Sequence, residues 1–114
     1  MKISGIVVKG KGEGALLGFP TANIKTDQPC SLADGVYLAE TVYRGKQYRS
    51  LAVFGFFKDF EVWLRDFSGD LYGQRLTIEI GQQISQVTTI VGQEDLIKKI
   101  KDDIKKAEKL WEIN

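Results

Sequence analysis

Between Ile3 and Ile80 the apolar residues recur at every second position in short runs, each broken by a glycine-bearing turn; only beyond Gly92 does their spacing lengthen to three and four. No other feature limits the possible folds so strongly. Alternation places side chains on the two faces of a strand, whereas spacings of three and four lay one stripe along a helix. Residues 3–9, rich in Ile and Val, read as a first strand running into an irregular loop. From Gly35 to Tyr43, Val36, Leu38 and Val42 alternate with Tyr37, Ala39, Thr41 and Tyr43, and Arg44-Gly45-Lys46 then turns the chain into 47–54, a hairpin. In Phe60-Glu61-Val62-Trp63-Leu64-Arg65, Phe60, Val62 and Leu64 share one face and Glu61, Trp63 and Arg65 the other. Ser68-Gly69-Asp70 makes the next turn, and Leu76, Ile78 and Ile80 mark a further strand. Five or six short strands of this kind are best accommodated by a closed barrel, which leaves no exposed edge. The stripe Leu96, Ile97, Ile100, Ile104, Ala107 and Trp111 predicts one amphipathic helix on that barrel. Glu94 and Asp95 near its start and Lys105, Lys106 and Lys109 near its end suit the helix dipole.

With 114 residues the chain is expected to form one domain over 1–114. Sixteen Lys and Arg against fifteen Asp and Glu give a net charge of +1, far from the basic excess that a nucleic-acid partner would call for. Cys30 is the only cysteine and there is no histidine, so an internal disulfide is impossible and a soft zinc site lacks its usual ligands. Any metal should be a hard, oxygen-bound ion such as Mg²⁺. No apolar run is long enough for a signal peptide or a membrane span, and a cytoplasmic monomer is expected.

Gly10, Gly12, Gly14 and Gly18 fall within nine positions and are followed by Pro20, which excludes a regular helix or central strand there. Such a loop lets backbone N–H groups approach phosphate oxygens, although it lacks the Lys-Ser/Thr ending of a P-loop and by itself reads as a flexible turn. Thr21 and Asn23 by themselves fit a turn after Pro20, and Glu61 by alternation alone is a solvated strand residue.

The run Gly18-Phe19-Pro20-Thr21-Ala22-Asn23 changes that reading, because it resembles the signature of riboflavin kinases, including the carboxy-terminal kinase module of bacterial bifunctional flavin synthetases. The resemblance continues through Gly35-Val36-Tyr37, Glu61-Val62, Asp66-Phe67 and Asp70-Leu71-Tyr72-Gly73 to Glu94-Asp95-Leu96-Ile97, and so covers nearly the whole chain. It implies a mainly β fold, a six-stranded Greek-key-like closed barrel with one C-terminal helix, that phosphorylates the 5′-hydroxyl of riboflavin with ATP and Mg²⁺ to give FMN. Thr21 and Asn23 match the residues that hold the metal and, with Gly10, Gly12, Gly14, Gly18 and Pro20, the ATP phosphates. Glu61 matches the catalytic carboxylate. Trp63, Leu96, Ile97 and Ile100 match the flavin side of the pocket, with packing of helix and barrel as the competing role for each.

Three departures from the family pattern touch the phosphate and flavin surroundings. Ala15 stands where an Arg is frequent, Ser85 stands where another Arg is typical, and the 55–61 stretch is short and lacks a usual proline. They leave a second alternative, a catalytically weak or inactive flavin- or nucleotide-binding module on the same fold. With no adenylyltransferase segment in the sequence, FMN rather than FAD is the expected product.

Overall fold

The computed structural model describes residues 1–8, 21–29, 31–55, 60–86 and 93–113. Among them, strands β1 (Lys2–Val8), β2 (Ala22–Thr26), β3 (Gly35–Tyr43), β4 (Lys46–Phe54), β5 (Phe60–Leu64) and β6 (Arg75–Ser85) precede one helix, α1 (Gln93–Ile113). The strands close into a barrel in the order β1-β2-β5-β4-β3-β6, with every neighbouring pair antiparallel. The β3–β4 hairpin is thus set between β5 and β6, and β2, a strand not expected from the sequence pattern, pairs across to β5; the closed six-stranded barrel with one C-terminal helix is the fold the family resemblance implied.

The hairpin turns on Arg44 and Gly45, whose φ angles of 51° and 77° are both positive. A two-residue loop of this hand matches the twist of the strands it joins, and glycine occupies the second position without a Cβ penalty. Tyr43 therefore pairs with Lys46, so the second strand begins one residue earlier than the sequence suggested.

Alternation decides which side chains fill the barrel. On β5, Phe60, Val62 and Leu64 are buried and Glu61 and Trp63 are half-buried, as their period of two predicts. Val62, Leu76 and Ile78 are fully enclosed, and each contributes about 1.5–3 kcal/mol by leaving water. Two hydroxyl residues also point inward: Ser50 Oγ lies 2.8 Å from both Thr41 Oγ1 and the Tyr48 carbonyl, which satisfies the buried polar atoms. On β3 both faces are covered. Tyr37 and Ala39 fill the barrel, while Val36 and Leu38 join Leu51, Ile84, Ala107 and Trp111 in a second cluster beneath α1.

Several polar contacts hold α1 in place. Lys99 Nζ is 2.8 Å from both Asp103 Oδ2 and Ser85 Oγ, so the charge of the buried Asp103 is matched within the helix and tied to β6. Lys106 Nζ donates to the Ile84 carbonyl. The end of the helix differs from expectation: α1 runs to Ile113, leaving Lys105, Lys106 and Lys109 short of a last turn that carries no basic residue. The cations come instead from the barrel. Arg49 Nη1 donates to the Trp111 carbonyl at 3.1 Å, and the Arg49 and Arg65 guanidiniums lie 6.0 and 5.5 Å from the centre of the Trp111 ring. Among the described residues no helix is long and apolar enough to cross a membrane.

Candidate active site

The side of β5 that faces away from the core carries Glu61 and Trp63, and β2 lies beside it with Asn23 opposite Glu61 and Ala22 opposite Val62. Directly opposed residues on antiparallel strands point to the same face, with Cβ atoms about 4.5–5.5 Å apart. Ala22 therefore packs with the core while Asn23 stands next to Glu61 on the outside of the barrel. Thr21, just before the strand, completes the group: its hydroxyl donates to Glu61 Oε1 at 2.9 Å. All three side chains are half-buried, which holds them in place and leaves them open to a ligand.

Thr21 and Asn23 line a cleft of about 640 Å³, within the usual size range of small-molecule sites, and Glu61, which is not among its lining residues, adjoins it through the Thr21 hydroxyl. One wall is formed by Thr21, Asn23 and Trp63, another by the end of β1 at Val7 and Val8, and the third by the β5–β6 connection from Asp66 to Tyr72. Val8 and Thr21, the described residues on either side of the glycine-bearing segment 9–20, both line this cleft.

Thr21, Asn23 and Glu61 are thus brought together. Gly10, Gly12, Gly14, Gly18 and Pro20 lie outside the described residues, as does Ala15. Trp63 lines the cleft and also packs against the cluster beneath α1 that contains Ala107 and Trp111, so the packing role and an edge on the site coexist. Ile97 and Ile100 are half-buried on α1 and are not among the residues lining this cleft. Leu96 belongs to α1, with its side chain outside the described part. At Ser85 the absent arginine is partly offset, since the Lys99 ammonium sits on the Ser85 hydroxyl, although Asp103 balances its charge.

The sequence reading assigned no role to the β5–β6 connection. It treated Ser68-Gly69-Asp70 as one turn, whereas the chain between Leu64 and Arg75 forms a whole wall of the cleft. The Asp66-Phe67 and Asp70-Leu71-Tyr72-Gly73 matches were the available signal.

The donor set also fits a hard cation. Among the described residues no group of three or more His, Cys, Asp or Glu side chains could hold a metal. The Thr21 hydroxyl and the Asn23 carboxamide offer two hard oxygens on one face, which suits Mg²⁺ arriving with phosphate and keeping most of its waters.

Comparison with known proteins bears on the family and the fold. A bifunctional riboflavin kinase/FMN adenylyltransferase of Mycoplasma pneumoniae is 34% identical over 110 residues, covering 92% of this chain and 40% of that protein. An RNA-binding riboflavin kinase of Bacillus subtilis is 33% identical over 119 residues, covering 97% of this chain and 51% of that protein. The chain thus spans about half or less of these relatives. Among solved structures, one described as a macrolide-efflux protein from Streptococcus pneumoniae superposes with a TM-score of 0.84 at 28% identity, over 94% of this chain and 38% of that one. The riboflavin kinase of Trypanosoma brucei shares the fold, with a TM-score of 0.64 at 23% identity over 97% of this chain and 79% of that one. The riboflavin kinase family model, Flavokinase, matches residues 1–111, and the chain therefore belongs to the riboflavin kinase family.

Proposed function

We propose that this chain transfers the γ-phosphoryl group of ATP to the 5′-hydroxyl of riboflavin, yielding FMN and ADP, with Mg²⁺ as the accompanying ion. The observation that carries the proposal is the triad on the barrel wall, with Thr21 donating to Glu61 at 2.9 Å and Asn23 directly across the strands from Glu61. Phosphoryl transfer asks a protein chiefly for positioning and charge stabilisation, and this equipment suffices for both.

In this reading the nucleotide lies in the cleft. Val8 and Thr21 support that placement, because they flank the glycine-bearing segment and both line it. Thr21 Oγ1 and the Asn23 amide oxygen would hold Mg²⁺, which when bound offsets the negative charge of the phosphates. Riboflavin approaches from the Trp63 side, toward Ile97 and Ile100. Glu61 accepts the proton of the 5′-hydroxyl as that oxygen bonds to the γ-phosphorus and the bond from phosphorus to the β–γ bridging oxygen breaks, leaving its electron pair on ADP. Thr21, which lines the cleft, holds the Glu61 carboxylate at its border by donating to Oε1. The near-balance of sixteen basic and fifteen acidic residues favours small-molecule substrates over the RNA binding in one relative's name.

Incubation with riboflavin, ATP and Mg²⁺, followed by chromatography, tests the proposal. FMN and ADP should accumulate in equal amounts. A protein that binds riboflavin and ATP and forms no FMN would instead be the inactive binding module.

A further inference from the structure

We infer that an aromatic lock at one end of the barrel, Phe67 held between Tyr43 and Tyr48, positions the cleft wall of residues 66–72 and thereby sets the affinity for the nucleotide; the inference rests on the placement of ATP in that cleft.

The wall begins where β5 ends. The Arg65 amide still donates to the Arg49 carbonyl at 2.8 Å, and Asp66 then takes a φ of 59°, a left-handed conformation that aspartate tolerates better than most residues. That reversal sends the Phe67 side chain back over the barrel mouth. Its ring meets Tyr43 edge-on at a centroid distance of 6.1 Å and Tyr48 at 5.4 Å, with interplanar angles of 82° and 87°. Both are the perpendicular geometry that aromatic quadrupoles favour. Arg44 and Lys46, from the hairpin turn, lie 5.3 and 5.1 Å over the faces of Tyr43 and Tyr48 and cover the outside of the cluster.

Above the ring the chain passes through Gly69, with a φ of 132°, and the Phe67 Cζ lies 3.5 Å from where a Cβ at Gly69 would stand. The ring is therefore the floor on which the tip of the wall rests. The far end is fixed differently. Leu71 is buried in the core, the Tyr72 amide donates to Asp70 Oδ1 at 2.9 Å, and the Gly73 amide donates to the Val7 carbonyl at 2.9 Å. Between those ends, Phe67 is the one half-buried residue from Asp66 to Asp70; the other four are exposed, with Asp66 in a surface ion pair with Arg65 and Asp70 bonded within the turn. Tyr43 and Tyr48 are not among the residues lining the cleft, and among the described residues it is Phe67 that links them to it. They are positioning residues for the reaction.

The test uses Tyr48→Ala, which removes one side of the lock without touching the cleft, and Tyr48→Phe, which keeps the ring. A wall in place only a fifth to a tenth of the time weakens apparent affinity by about five- to tenfold. Tyr48→Ala should therefore raise the KM for Mg-ATP about five- to tenfold, leave kcat and the KM for riboflavin within about twofold, and speed amide hydrogen exchange in residues 67–70. Tyr48→Phe should behave as wild type. Where Tyr48→Ala does not fold, Tyr48→Leu keeps apolar volume, removes the edge-to-face contact and should show the same selective loss in weaker form. An unchanged KM for ATP in a folded Tyr48→Ala or Tyr48→Leu protein overturns the inference. So does a parallel rise of both KM values, which marks a general loss of structure. Failure of the parent reading shows separately, as wild-type protein that makes no FMN.

Discussion

Replacing Thr21 by valine exchanges a hydroxyl for a methyl at nearly constant volume and so deletes the donor that lies 2.9 Å from Glu61 Oε1. A hydrogen bond to a charged group contributes about 1.5–3 kcal/mol, and the half-buried setting of Glu61 places this one near the lower end. At about 1.36 kcal/mol per tenfold, a loss of about 1.5–2 kcal/mol predicts a fall in kcat of about 10- to 30-fold. The assay is FMN formation at saturating Mg-ATP, so that weaker nucleotide binding does not enter, and Thr21→Ser should recover most of the rate. The cost to stability should stay within about 1 kcal/mol, since the freed carboxylate oxygen can reach water. Because the part of the Thr21 role that remains at saturating Mg-ATP is exercised through Glu61, Thr21→Val in a Glu61→Gln background should cost much less than it does alone. A Thr21→Val enzyme within twofold of wild type, or losses that add to within about 0.5 kcal/mol in the double mutant, would refute the coupling.

Two further outcomes follow from the same geometry. Asn23→Ala removes a hard oxygen beside Glu61 and should abolish most of the strengthening of ATP binding by Mg²⁺; calorimetric titrations with and without the ion decide it, and undiminished metal dependence removes Asn23 from the metal site. Asp103→Ala leaves the Lys99 ammonium, with a side chain only 16% exposed, facing Ser85 alone, and should cost about 3 kcal/mol in urea denaturation, whereas Lys99→Met with Asp103→Leu should come within about 1 kcal/mol of wild type; a cost below about 1 kcal/mol for the single change would show that the pair does not hold α1 to β6.

Strands with several inward side chains were readable from the chain alone. Phe60, Val62 and Leu64 fix the face and register of β5, and Leu76, Ile78 and Ile80 do the same for the first half of β6. The second half of β6 was hidden because it continues past Gly81 to Ser85 with register shifts against β3 that break strict alternation. Strand β2 was hidden for a different reason. Its five residues bury only Ile24 fully, so Ala22–Thr26 carries too little pattern to separate it from the preceding loop. That omission concealed the central feature of the site, since Asn23 stands beside Glu61 only because β2 pairs with β5 across the whole β3–β4 hairpin. The family motifs named Thr21, Asn23 and Glu61 as partners in chemistry without showing how forty residues of sequence are closed between them. Likewise, a Phe that locks a loop against Tyr43 and Tyr48 leaves no periodic trace, because its partners lie on another hairpin.

The most direct test of the account compares FMN formation by wild-type protein and Glu61→Gln at saturating riboflavin and Mg-ATP. Gln keeps the shape of Glu and can still pair with Thr21 but cannot accept the proton of the 5′-hydroxyl, so the rate should fall about 10²–10⁴-fold while riboflavin affinity and thermal midpoint stay near wild type. A Glu61→Gln enzyme that retains more than about a tenth of the wild-type rate lies outside that range and would contradict the assignment of Glu61 as the base.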